Sequence, residues 1–161
     1  MMFKKHYWMK ILLYAWTFYL PQIFSISVWG VLLGSTGFFL MFIASSIGYT
    51  IRGIVFLVFP IILLKIALKS RFILTFEAIE YAKPLVVYGV ISFFMRVINI
   101  IFPEFFTIRG VIEQILLFTA LIVSYYKLGI IASHSFGRSR SVKMTGWIAG
   151  MITCLIFPPP F

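Results

Sequence analysis

Between Lys10 and Arg52 the chain carries no formally charged residue. As a single helix rising 1.5 Å per residue, this stretch would be about 60 Å long, twice the hydrocarbon core of a bilayer. It must therefore turn on itself. The best break is Ser35-Thr36-Gly37, because glycine and small hydroxyl residues punctuate helices. This predicts a first membrane span over residues 11–34 and a second over 38–63. Pro21 falls inside the first and should kink it, a tolerated feature where neighbouring groups satisfy the freed carbonyl. In an alternative arrangement, residues 3–18 lie on the membrane surface and the first span starts after Pro21, since Tyr7, Trp8, Tyr14 and Trp16 are interfacial residue types.

Composition points the same way. Of 161 residues, 62% are hydrophobic and 11% charged, and the mean hydropathy is +1.07. A soluble domain of this size must cover its surface with polar side chains, and too few are present. The expected fold is therefore all-α, a single polytopic transmembrane helix bundle covering residues 1–161. Further spans are expected over 84–102, 111–133 and 144–157, making about five. The stretch 71–83 mixes Glu77, Glu80 and Lys83 with Phe72, Phe76 and Ile79 at helical spacing, and reads as an interfacial amphipathic helix or polar connector. Pro84 suits the first turn of the helix that follows.

Charge is strongly asymmetric, with 14 Lys and Arg against 4 acidic residues. The basic residues stand at segment ends and form no polar domain, which fits anionic lipid headgroups and not nucleic acid. Met-Met-Phe-Lys-Lys followed by an unbroken apolar run reads as a retained signal-anchor with a cytoplasmic N-terminus. Five spans then put Lys4, Lys5, Lys10, Lys65, Lys69, Arg71, Lys83, Arg138, Arg140 and Lys143 on the cytoplasmic side and Arg109 alone opposite, as the positive-inside rule requires. Lys65, Lys69, Arg71, Arg138, Arg140 and Lys143 are the expected contacts to anionic lipid. In a bacterium this means the inner membrane.

Arg96 is the most informative charge. It lies deep in the third span with Asn99 one turn later, and an ionisable residue there needs a partner or a cavity. If spans three and four form a hairpin, Arg96 and Asn99 face Glu113 and Gln114, and an Arg96–Glu113 pair lowers the desolvation cost of both. This cluster reads either as a clamp fixing hairpin register or as a polar site. Arg52 and Lys127 read as residues snorkelling to a boundary. Gly30-Val-Leu-Leu-Gly34 and Gly146-Trp-Ile-Ala-Gly150 are Gly-x-x-x-Gly patterns that permit close helix approach, here within one bundle.

Nothing points to catalysis. The chain has no Asp, one cysteine (Cys154), and two histidines (His6 and His134) far apart and at span boundaries. No phosphate loop or zinc-protease motif occurs. Glu77 and Glu80 are explained as a solvated face beside Arg71 and Lys83. No metal or cofactor is expected.

From Lys69 onward the order of motifs resembles the Yip (Ypt-interacting protein) domain family, particularly its small prokaryotic members. The residues concerned are Lys69-Ser-Arg-Phe72, Tyr81-Ala-Lys-Pro84, Tyr126-Lys-Leu-Gly129 and the loop His134-Ser-Phe-Gly-Arg-Ser-Arg-Ser-Val-Lys143 before the last span. The resemblance covers about residues 69–157. It implies five spans, a cytoplasmic N-terminus and a short C-terminal end across the membrane, and it brings no catalytic residues. Eukaryotic relatives carry a long cytoplasmic N-terminal region and are linked to Rab GTPases; only about ten residues stand there in this chain, so GTPase binding is not carried over.

Three functional readings follow: a non-enzymatic bundle that organises membrane or partner proteins, or its own copies; a small transporter or channel component with a polar path at Arg96, Asn99, Glu113 and Gln114; and a membrane immunity or exclusion factor.

Overall fold

The computed structural model describes residues 2–31, 34–68, 78–136 and 140–159. They form five α-helices: α1 (Met2–Gly30), α2 (Gly34–Ala67), α3 (Lys83–Ile101), α4 (Phe106–Phe136) and α5 (Arg140–Ile156). Short 3-10 turns, Ala78–Ala82 and Pro103–Phe105, lead into α3 and α4. No strand occurs among the described residues. Four of the helices are long and apolar enough to cross a membrane, and the fifth is shorter. This is the all-α bundle expected of an integral membrane protein.

Side-chain exposure shows why lipid is needed. On α2, Phe39, Ile43, Ile47, Ile51 and Val55 are all exposed at four-residue spacing, and on α4 Ile108, Ile112, Ile115, Phe118 and Ile122 form a similar stripe. In water such continuous apolar faces would drive aggregation. In a bilayer they are simply wetted by acyl chains.

The helices close into a ring. α1 packs on α2 and α3, α3 on α4, α4 on α5, and α5 returns to α2. Aromatic side chains fill the interior. Phe18 stacks on Phe56 with ring centroids 5.5 Å apart and meets Tyr88 at 6.0 Å, while Tyr81 lies 6.4 Å from Tyr125. All five rings are buried.

α1 is continuous through Pro21. Ile11, Ala15 and Phe18 are fully buried in the core, so this part of α1 belongs to the bundle and is not a surface helix. Proline has no N–H, so the carbonyl of Thr17 loses its helical partner. Gly89 of α3 backs onto that carbonyl so closely that a methyl group at position 89 would overlap it.

The first turn differs from expectation. α1 ends at Gly30 and α2 starts at Gly34, which has φ +83°. Glycine alone adopts this left-handed geometry at no steric cost. Ser35, Thr36 and Gly37, the predicted break, are helical. Gly37 instead lies against Gly30, whose Cβ position is 2.7 Å from the Gly37 carbonyl oxygen.

The connector before α3 differs too. Residues 71–77 of the predicted interfacial helix lie outside the described residues. The part that is described, Ala78–Ala82, does not lie on the surface: Ile79, Tyr81 and Ala82 are fully buried. It plugs the lysine-bearing end of the ring by touching α2, α3 and α4. The Tyr81 hydroxyl donates to the Leu57 carbonyl at 2.7 Å. This bond offsets the cost of burying the phenol and sets the depth of the plug. Glu80 stays at the rim, bridging Lys10 of α1 and Lys83.

Substitution of Gly89 by Val should push α3 off α1 and cost about 3 kcal/mol or the fold itself, because the contact is to backbone and cannot yield. The same change at Gly48, where an added Cβ meets nothing, should be nearly neutral. Thermal melting in mild detergent distinguishes the two.

Candidate functional site

Arg96 of α3 and Arg109 and Glu113 of α4 meet at the end of the bundle away from Lys10 and Lys83. Arg96 projects from α3 one turn beyond Ser92, and Glu113 from α4 one turn beyond Arg109. The residues are four apart in each pair, so each pair shares a helix face.

Arg96 grips Glu113 with both arms of its fork. Nε donates to Oε1 at 3.2 Å and Nη2 to Oε2 at 3.1 Å. Nη1 turns the other way and donates to the Ser25 hydroxyl at 2.7 Å and the Pro21 carbonyl at 3.2 Å, both on α1. Ser92 adds a hydroxyl donor to Glu113 Oε1 at 2.9 Å. One guanidinium therefore ties three helices together. The pair is well withdrawn from solvent, with side-chain exposures of 12% and 11%. At that depth the attraction is weakly screened and the two-armed geometry adds direction as well as energy.

A cavity of about 260 Å³ borders the pair, lined by Tyr88, Arg96, Arg109, Gly110, Glu113 and Gln114, with Leu117 behind them. Arg109 approaches Glu113 Oε1 only to 3.8 Å through Nε, and its guanidinium lies over the Phe106 ring, 4.9 Å from the centroid.

Of the predicted cluster, the structure brings Arg96 and Glu113 into direct contact and places Gln114, exposed, on the cavity wall. Asn99 does not line the cavity, and its Oδ1 is buried without a hydrogen-bond partner. Ser25, the Pro21 carbonyl, Ser92, Tyr88 and Arg109 were not anticipated. Spacing could have revealed some of them: Tyr88, Ser92 and Arg96 recur every fourth residue on α3, as do Pro21 and Ser25 on α1.

The glycines of the two Gly-x-x-x-Gly patterns behave unequally. Gly146 and Gly150 both face α4. A Cβ at Gly146 would stand 2.5 Å from the Gly129 backbone, and one at Gly150 would overlap the Tyr125 ring. Gly30 packs on Gly37 of α2. Gly34 packs on nothing within 4 Å and serves the turn. The patterns missed Gly53, Gly89 and Gly129, whose Cβ positions press on Ala15, Thr17 and Lys143 backbone or side-chain atoms of neighbouring helices.

Among the predicted lipid contacts, Lys65 is exposed in the last turn of α2 and Lys143 is exposed near the start of α5. Lys69, Arg71 and Arg138 lie outside the described residues, as does the Arg140 side chain. Arg52 sits halfway along α2 rather than at a boundary, under the end of α5. Its Nη2 donates to the Pro158 carbonyl at 2.9 Å, and its guanidinium lies 5.9 Å from the Tyr19 ring centroid.

No protein-family model matches this chain, and neither does any curated protein or solved structure.

Removing Arg96 leaves buried Glu113 with only the Ser92 hydroxyl and the 3.8 Å approach of Arg109, so Arg96→Ala should cost about 3 kcal/mol of stability. Replacing all three charges by apolar residues, Arg96→Met and Glu113→Leu with Arg109→Leu, should recover most of that loss. Equilibrium unfolding in mixed detergent micelles measures both.

Proposed function

We propose that this chain is a non-enzymatic multi-pass membrane protein that organises membrane or partner proteins, of the Yip-like type. The observation that carries the reading is the engagement of Arg96, four of whose five N–H groups donate to the protein. All three of its nitrogens donate to protein groups, on α1 and α4, so its charge holds the bundle shut. A transport site must instead leave groups free to exchange partners with a substrate. The Yip-like assignment is supported by the Tyr81-Ala-Lys-Pro84 motif and by the His134–Lys143 stretch that leads into a short fifth helix. The N-terminus is cytoplasmic on this reading, with Lys65 and Lys143 against the anionic leaflet of a bacterial inner membrane.

A second reading, a small transporter or channel component, is favoured by the polar cavity beside Arg109, Glu113 and Gln114.

Two experiments separate these readings and test the orientation. In liposomes, the scaffold reading expects no ion flux above empty vesicles from either the wild type or Arg96→Ala. Flux in the wild type that Arg96→Ala alters would overturn it. Crosslinking in the membrane followed by mild-detergent purification should recover a partner or a second copy, and a lone monomer counts against the proposal. For orientation, Glu104→Cys and Lys65→Cys in a Cys154→Ser background should react with a membrane-impermeant thiol reagent from opposite sides, Glu104→Cys from outside intact cells.

A further inference from the structure

Arg109 is the cation that the clamp leaves unsatisfied. Two guanidinium groups, Arg96 and Arg109, stand beside one carboxylate. The Glu113 oxygens already accept from Ser92 and from two nitrogens of Arg96. Arg109 is left with a 3.8 Å approach to Oε1, and its Nε is buried with no hydrogen-bond partner. One positive charge and a set of unused donors therefore remain on the wall of the 260 Å³ cavity. Beyond this long approach and the Phe106 face the cation has no partner among the described residues, and an oxyanion supplies one.

Depth and surroundings indicate where such an anion comes from. Arg96 lies about 20 Å along α3 from Lys83, and Arg109 is one turn of α4, about 6 Å, further out than Glu113. This brings Arg109 close to the far boundary of a hydrocarbon core of about 30 Å. The apolar side chains around it, Phe105, Phe106, Ile108, Val111 and Ile112, are exposed on the outside of the bundle. An amphiphile could therefore lay its chains on these residues with its polar group in the cavity. The volume suffices for such a group, since a water molecule takes about 30 Å³.

We propose that the cavity between α3 and α4 binds the phosphate group of a membrane phospholipid, with Arg109 as its principal donor. The site is separate from the basic residues of the opposite end and does not depend on the scaffold reading. Arg96 acts here only by neutralising Glu113, which would otherwise repel the ligand.

Native mass spectrometry of the detergent-purified chain, titrated with phosphatidylglycerol or with inorganic phosphate, tests the assignment. The wild type should retain one phosphatidylglycerol. Arg109→Gln should weaken retention about tenfold or more, the usual consequence of losing a charge-assisted hydrogen bond. Gly110→Leu is the second variant. An added Cβ at Gly110 meets nothing within 4 Å, so leucine should fill the cavity without disturbing the fold. It should abolish retention while the melting temperature stays at or above that of the wild type. Lys127→Gln, which removes an exposed cation elsewhere on α4, should retain lipid normally. Equal retention by wild type, Arg109→Gln and Gly110→Leu would overturn the proposal, as would no retention by the wild type. Binding of inorganic phosphate without Arg109-dependent lipid retention would overturn the headgroup as its source.

Discussion

The guanidinium of Arg96 cannot be placed where it is unless three helices arrive together. Its fork needs Glu113 from α4, and its remaining arm needs Ser25 and the Pro21 carbonyl from α1. A charged side chain at this depth is unfavourable alone and becomes tolerable when its donors find partners. The cluster thus fixes the rotation of α3 and its height relative to both neighbours. The position of Gly89 against Thr17, two turns toward the lysine-bearing end, follows from the same register.

Between helices in lipid there is little hydrophobic driving force, because acyl chains are as apolar as the side chains they replace. Association therefore relies on close backbone approach and on polar ties. The bundle uses both, at separate levels. Ala15–Gly53, Thr17–Gly89 and Gly129–Gly146 bring backbones together, while Arg96–Glu113, Tyr81–Leu57 and Lys10–Glu80–Lys83 supply polar contacts. Pro21 weakens one helix locally, and α3 covers the weakened turn.

Helix number and rough extent were legible because uncharged runs too long for one crossing, bounded by lysine and arginine, leave few ways to fold. The Arg96–Glu113 pair was legible because only one acidic residue could reach Arg96 across a short hairpin. The exact turn was harder. Ser35-Thr36-Gly37 and Gly34 are equally good breakers by composition, and only the packing of Gly37 on Gly30 decides between them. The buried plug at Ala78–Ala82 was not legible, since Glu80 beside Ile79 and Tyr81 gives the same amphipathic signature whether a segment lies on a surface or seals an opening. Arg109 looked like a lone boundary charge because the fourth span was expected to start at residue 111; α4 begins at Phe106, which puts Arg109 and Glu113 one turn apart on one face.

The ring has a consequence for biogenesis. α5 supplies the link between α4 and α2, while α1 already contacts both α2 and α3. A chain emerging from the ribosome N-terminus first thus builds an incomplete wall, with the flanks of α2 and α4 bare until the fifth helix is delivered. During that interval the aromatic interior is open sideways to the membrane.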